Sequence, residues 1–183
     1  MTNLIIKKTI NLAGTIRAPP SKSITNRAFI ATALSEGKSK IENPLMCYDT
    51  LATINGCCLL GAKIEQTREN VFMVQGRSKP RTPADIIDCH DSAATMRFLT
   101  PVCALADGIS TLTGGESLCK RPMKPVLEAL RQLGVKCNYL QRDGHPPIII
   151  HGGGIKGGKA KVRGDVSSQF ISGLLIAAPL AKD

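Results

Sequence analysis

Near the start of the chain, Pro19-Pro20-Ser21-Lys22-Ser23-Ile24-Thr25-Asn26-Arg27 brings two serine hydroxyls, an ammonium and a guanidinium within about two helical turns. Residues four apart share one helix face, so Ser23 and Arg27 meet beside Lys22 at a helix start. Free backbone N–H groups and the positive end of the macrodipole point the same way. This grouping suits a phosphate or a carboxylate. It also suits an N-cap serine with solvated basic neighbours, and the stretch alone does not choose between the two.

Three further stretches carry similar chemistry. Asp91-Ser92-Ala93-Ala94-Thr95-Met96-Arg97 reads as a helix start capped by Asp91 or Ser92, with small residues that allow a ligand close approach. Ser167-Ser168-Gln169-Phe170 is another start, led by two hydroxyls and an amide. Lys120-Arg121-Pro122-Met123-Lys124-Pro125 opens a helix with cations that oppose the dipole unless an anion lies between them. Each stretch also reads as ordinary capping or as a solvated loop. Gly152-Gly153-Gly154-Ile155-Lys156-Gly157-Gly158-Lys159-Ala160 imitates a P-loop and fails it. Ala160 stands where a magnesium-binding hydroxyl is needed, and an alternating strand follows where a helix is required. A flexible hairpin turn is expected there.

The elements that must position these groups form a repeat. Arg27 and Arg97 each lie early in an apolar helix, which closes at Ala33-Leu34-Ser35-Glu36-Gly37 and at Ala104-Leu105-Ala106-Asp107-Gly108. Strand-like runs follow at Lys38–Asn43 and Ile109–Thr113. A second helix then ends in Leu60-Gly61-Ala62-Lys63-Ile64 and in Leu133-Gly134-Val135-Lys136-Cys137, each Gly a natural C′ residue before a strand. Val71–Val74 and Ile148–Ile150 are the next strands. The unit is βαβαββ with a period of about seventy residues. A third copy opens with the strand Lys159–Arg163 and the helix Ser167–Leu180 and is cut short, so the chain is expected to be a fragment or one half of a split protein. Units packed around a pseudo-threefold axis would aim their helix N-termini at one place.

Composition bounds the rest. A chain of 183 residues with 43% hydrophobic and 21% charged residues folds as an ordinary globular protein. No apolar run is long enough for a membrane span and no signal-peptide core is present, so a cytoplasmic protein without membrane association is expected. Seven cysteines without a CxxC pair predict buried reduced thiols and no metal site. A net charge of +10 calls for an anionic partner. Only 3% of residues are aromatic and there is no Trp, which argues against nucleic acid and favours a small polyanion.

The chain resembles the first part of the 5-enolpyruvylshikimate-3-phosphate synthases. The family's S-K-S-x-x-N-R stands as Ser21–Arg27, its R-P loop as Arg121-Pro122, and its S-S-Q-F as Ser167–Phe170, in order across essentially the whole chain. The resemblance implies a mixed α/β fold: an inside-out barrel of βαβαββ units, here residues 13–183, incomplete at the C-terminus. Residues 1–12 would carry a strand, Asn3–Lys8, that in the family packs on a second domain. The reaction implied is transfer of the enolpyruvyl group of phosphoenolpyruvate to the 5-hydroxyl of shikimate 3-phosphate, without a cofactor. By resemblance Ser23, Arg27, Ser167 and Ser168 hold shikimate 3-phosphate, Lys22 and Gln169 touch both substrates, and Arg121 holds phosphoenolpyruvate. Arg121→Lys would lose the bidentate fork. Asp49 and Arg97 lie near such a site, while the acid/base carboxylates come from the missing C-terminal domain. The chain alone is expected to bind shikimate 3-phosphate weakly and to turn over nothing.

Three positions depart from the family pattern. Its G-N-A/S-G-T reads His90-Asp91-Ser92-Ala93-Ala94. Ala93 replaces a glycine that lies against phosphoenolpyruvate, so its methyl narrows the pocket and should weaken binding of glyphosate. Asp91 replaces an asparagine and adds negative charge near an anionic substrate. Pro20 replaces a glycine of the turn. The UDP-N-acetylglucosamine enolpyruvyl transferases share the fold, but their reactive cysteine would fall at Glu116, and Cys119 is too near Arg121 to replace it.

Overall fold

The computed structural model describes residues 4–182. Its first unit comprises α1 (Lys22–Leu34), β1 (Gly37–Glu42), α2 (Tyr48–Leu59), β2 (Lys63–Arg68) and β3 (Val71–Gly76). The second comprises β4 (Ile87–Asp88), α3 (Ala93–Leu105), β5 (Ile109–Thr113), the short α4 (Glu116–Cys119), α5 (Lys124–Gln132), β6 (Lys136–Tyr139) and β7 (Ile148–His151). A last helix, α6 (Ser168–Ala177), runs into a 3₁₀ turn at Ala178–Leu180. The helix expected over Ser167–Leu180 thus tightens before its end, where Pro179 has no N–H to give to the α-helical ladder.

The two units are wound alike. Three strands order as β1-β3-β2, and four as β4-β5-β7-β6, so β5, β7 and β6 repeat the first sheet. Antiparallel pairing runs through both trios, while β4 adds a parallel edge on β5. Helix α3 occupies the centre, with nearly every residue buried, and α5, α6 and the second sheet pack around it. A smaller cluster of Phe29, Ile41, Phe72 and Val74 joins α1 to the first sheet, its two rings meeting edge-on at 5.4 Å. In α1 the buried positions 25/26, 29/30 and 33/34 recur every four residues and form one face.

Two expectations for local structure fail. Lys159–Arg163 is not a strand. Strands exist by pairing, and among the described residues this run has only the Gln132 side chain, whose amide accepts from Lys161 N–H at 2.9 Å and donates to its carbonyl at 3.0 Å. The glycine run is not a hairpin turn either. Its successive N–H groups, Gly152, Gly153 and Gly154, donate to the carbonyls of Gly108, Ala106 and Ala104, capping the end of α3 and leaving no phosphate cradle. Leu4–Lys8, part of the run expected to pack on a second domain, are exposed and pair with no strand among the described residues, and Asn3 lies outside those residues.

All seven cysteines are free, and Cys57, Cys89, Cys103 and Cys137 are buried. Burial pushes the Cys103 thiol up to about 12, so it stays protonated. No helix among the described residues is long and apolar enough to cross a membrane.

Candidate active site

The three long helices that carry the sequence motifs begin on one cavity. Ser21, Ser92 and Ser167 cap α1, α3 and α6, their hydroxyls accepting from the N–H groups of Ile24, Thr95 and Gln169 at 3.4, 3.3 and 3.2 Å. Around these starts lies an open, polar cavity of about 570 Å³. Lys22 enters it from α1, Asp49 from the first turn of α2, and Asp91, Ala93, Ala94 and Arg97 from the start of α3. Arg121 reaches in from the turn after α4, and Ser167, Ser168 and Gln169 from the start of α6. These residues span most of the chain length, and only the packing of α2 and α6 on α3 gathers them.

Lys22 pairs with Asp49 at 2.6 Å. The hydrogen bond and charge of Asp49 hold the ammonium above its ordinary value, against the opposing effects of burial and then of Arg121. Asp49 sits at the N-terminus of α2, where a carboxylate complements the dipole. Its backbone is fixed to α3, since Thr95 donates to the Asp49 carbonyl at 3.1 Å and also lies 2.7 Å from the hydroxyls of Ser92 and Thr53.

Arg97 is only 9% exposed and has no carboxylate partner among the described residues. Burial, and then Arg121, lower its pKa, which records two guanidinium groups sharing one polar space. Its plane lies 4.7 Å from the Phe170 ring, and Nη1 donates to Gln169 Oε1 at 2.9 Å and to Ser167 Oγ at 3.1 Å. Arg121 likewise has no ion-pair partner among the described residues. Asp91 stands against Gly115, where an added Cβ would come within 2.7 Å of its Oδ1. His90 precedes it with φ of 48°, a left-handed conformation that glycine adopts more readily.

Ser23 and Arg27 do meet as helical spacing requires, Arg27 donating to the Ser23 carbonyl at 3.0 Å and to its hydroxyl. They stand beside the cavity rather than in its lining. Arg27 also donates to Ser172 Oγ at 3.0 Å and stacks 4.6 Å from the Phe98 ring. The repeat-related arginines therefore do repeat-related work: each reaches from its own helix onto an aromatic ring of the next. Sequence reading quoted Phe170 and Thr95 without giving them a role, and missed Phe98, Ser172 and Thr53. No local spacing links these residues to their partners, and only the pairing of one arginine per unit hinted at it.

The model of the EPSP synthase (3-phosphoshikimate 1-carboxyvinyltransferase) family matches residues 6–183. Proteins of that name are 47% identical over 181 residues in Methanothermobacter thermautotrophicus and 44% identical over 181 residues in Methanocaldococcus jannaschii. Each comparison covers 98% of this chain and 42% of the relative, so the chain spans well under half the length of these curated relatives. The solved structure of EPSP synthase from Acinetobacter baumannii superposes with a TM-score of 0.82 at 29% identity, covering 92% of this chain and 39% of that one. This match sets aside the UDP-N-acetylglucosamine enolpyruvyl transferase alternative. By sequence, by its repeated fold and by the run of its motifs, this chain belongs to the EPSP synthase family.

Proposed function

We propose that this chain is the substrate-binding part of an enzyme that transfers the enolpyruvyl group of phosphoenolpyruvate to shikimate 3-phosphate. The observation that carries this reading is the convergence of three helix N-termini with Lys22, Arg97 and Arg121 on one open polar cavity. Both substrates are polyanions, and a site for them needs cations and oriented donors that are already in place.

In this reading the 5-hydroxyl oxygen of shikimate 3-phosphate attacks C2 of phosphoenolpyruvate, losing its proton, while C3 gains one. The tetrahedral adduct then loses C3–H and phosphate together, which restores the double bond. Ser167 and Ser168 take the phosphate of shikimate 3-phosphate, with Ser23 and Arg27 at the flank. Lys22 and Gln169 lie between the two substrates, and Arg121 takes phosphoenolpyruvate against Ala93. Each charge-assisted bond contributes roughly 1.5–3 kcal/mol. The family resemblance assigns the groups that move the protons to a second domain of the full enzyme, and Asp49 is paired with Lys22.

Calorimetric titration of the chain with shikimate 3-phosphate, beside a phosphate-release assay with phosphoenolpyruvate, tests this. Saturable binding that is lost in Lys22→Ala, with no phosphate released, is the expected result. Release of phosphate by the pure chain would overturn the assignment of the proton-transfer groups, and absence of binding would overturn the substrate assignment.

A further inference from the structure

We propose that Arg97 is a positioning residue that fixes the hydrogen-bond polarity of Ser167 and Gln169, so that both present donors to an anion in the cavity. The proposal rests on reading the cavity as the substrate site, and it adds how neutral side chains there become directed donors. Arginine carries five N–H donors and no acceptor. Whatever faces it must therefore be an acceptor, and Gln169 has one: its Oε1, 2.9 Å from Arg97 Nη1. The amide cannot turn over without setting its NH₂ against the guanidinium. With the oxygen held there, the NH₂ group is directed away from Arg97 on a residue that lines the cavity.

Ser167 is constrained in the same sense. Its Oγ accepts from Arg97 Nη1 at 3.1 Å and from the Gln169 backbone N–H at 3.2 Å. Both lone pairs are engaged, which leaves the hydroxyl only its proton to offer. One buried guanidinium thus orients two donors at the start of α6 and polarises both. Its own position is fixed by the Phe170 ring at 4.7 Å and by burial, with Nε enclosed and unpaired among the described residues. A lysine would keep the charge, but a single ammonium on a flexible stem does not hold two acceptors in the same fixed geometry.

Two measurements on the full 183-residue chain decide this. In the first, NMR follows the Gln169 side-chain amide without ligand in the wild type and in Arg97→Lys. The resonances are expected to move and to exchange faster in the variant, and unchanged resonances would overturn the proposal. The second is a double-mutant cycle read by calorimetry with shikimate 3-phosphate. Gln169→Ala should weaken binding about tenfold in the wild type and less than about twofold in Arg97→Lys, because the donor is no longer aimed. An equal loss in both backgrounds would mean that Arg97 only supports the fold. Should Arg97→Lys fail to fold, Gln169→Glu supplies the test: its carboxylate still accepts from Arg97 but has no donor to offer. It should fold and bind at least tenfold more weakly, and wild-type affinity would overturn the proposal. If the wild-type chain does not bind shikimate 3-phosphate, the substrate reading fails, while the NMR comparison still decides the polarity of Gln169.

Discussion

Gly173 of α6 lies so close to the main-chain carbonyl of Arg97 that a Cβ placed on it would stand 2.4 Å from that oxygen. Four residues beyond Arg97, Pro101 supplies no N–H to the helical ladder, so that carbonyl is left without its usual partner just where α6 crosses. The start of α6, with Ser167, Ser168 and Gln169, is thereby set against the start of α3. Gly173→Ala should push the two helices apart, costing about 1–3 kcal/mol and lowering the thermal midpoint. Binding of shikimate 3-phosphate should weaken with it. A midpoint equal to the wild type in a thermal melt would show that the crossing tolerates a methyl.

The pair of Lys22 and Asp49 makes a pH prediction. Its partner raises the folded pKa of Lys22, so the contribution of the pair is complete below the unfolded value near 10.5 and fades as pH rises through the folded one. In Asp49→Asn the alkaline limb of shikimate 3-phosphate binding should move to lower pH. Calorimetric titrations between about pH 8 and 11 would check it, and a limb that does not move would separate Lys22 from the binding step.

Ala93 lines the cavity on the first turn of α3, where its methyl takes up part of the space beside the helix start. Ala93→Gly should deepen the site and strengthen inhibition by glyphosate in the complete enzyme, measured as an inhibition constant. The same change should cost the helix about 0.5–1 kcal/mol, read from a denaturant titration. Glyphosate inhibition that does not strengthen would place the inhibitor away from Ala93.

Asp91 puts a carboxylate without a cation partner, among the described residues, into a cavity suited to anions. Asp91→Asn removes the repulsion and should tighten phosphoenolpyruvate by roughly 1 kcal/mol, about fivefold, at low salt and less at high salt. A titration at two ionic strengths checks both the gain and its screening. An unchanged affinity at low salt would show that Asp91 faces away from the bound anion.

Local order along the chain already marked out most of this protein. Ser21, Ser92 and Ser167 announce helix starts because capping depends on a hydroxyl and the next three residues. The paired Gly61 and Gly134 mark helix ends because only a residue tolerant of positive φ turns the chain there, at 100° and 80°. From these marks the repeat and most of its strand runs could be read, since each is a matter of short-range spacing. The residues that share one cavity were named by the family resemblance and are gathered only by the packing of the helices on α3. Other features belonged to the tertiary structure. Lys159–Arg163 alternates like a strand but pairs with none among the described residues, because strand formation depends on a neighbour and not on pattern. The glycines of 152–154 look like a phosphate loop, yet their N–H groups are taken by the end of α3. Arg27 was placed with Lys22 by helical spacing, while its guanidinium turns to Phe98 and Ser172 on other helices. The polarity of Ser167 and Gln169 was likewise invisible in sequence. It depends on a guanidinium some seventy residues away, brought within hydrogen-bond reach only when α6 packs across α3 at Gly173.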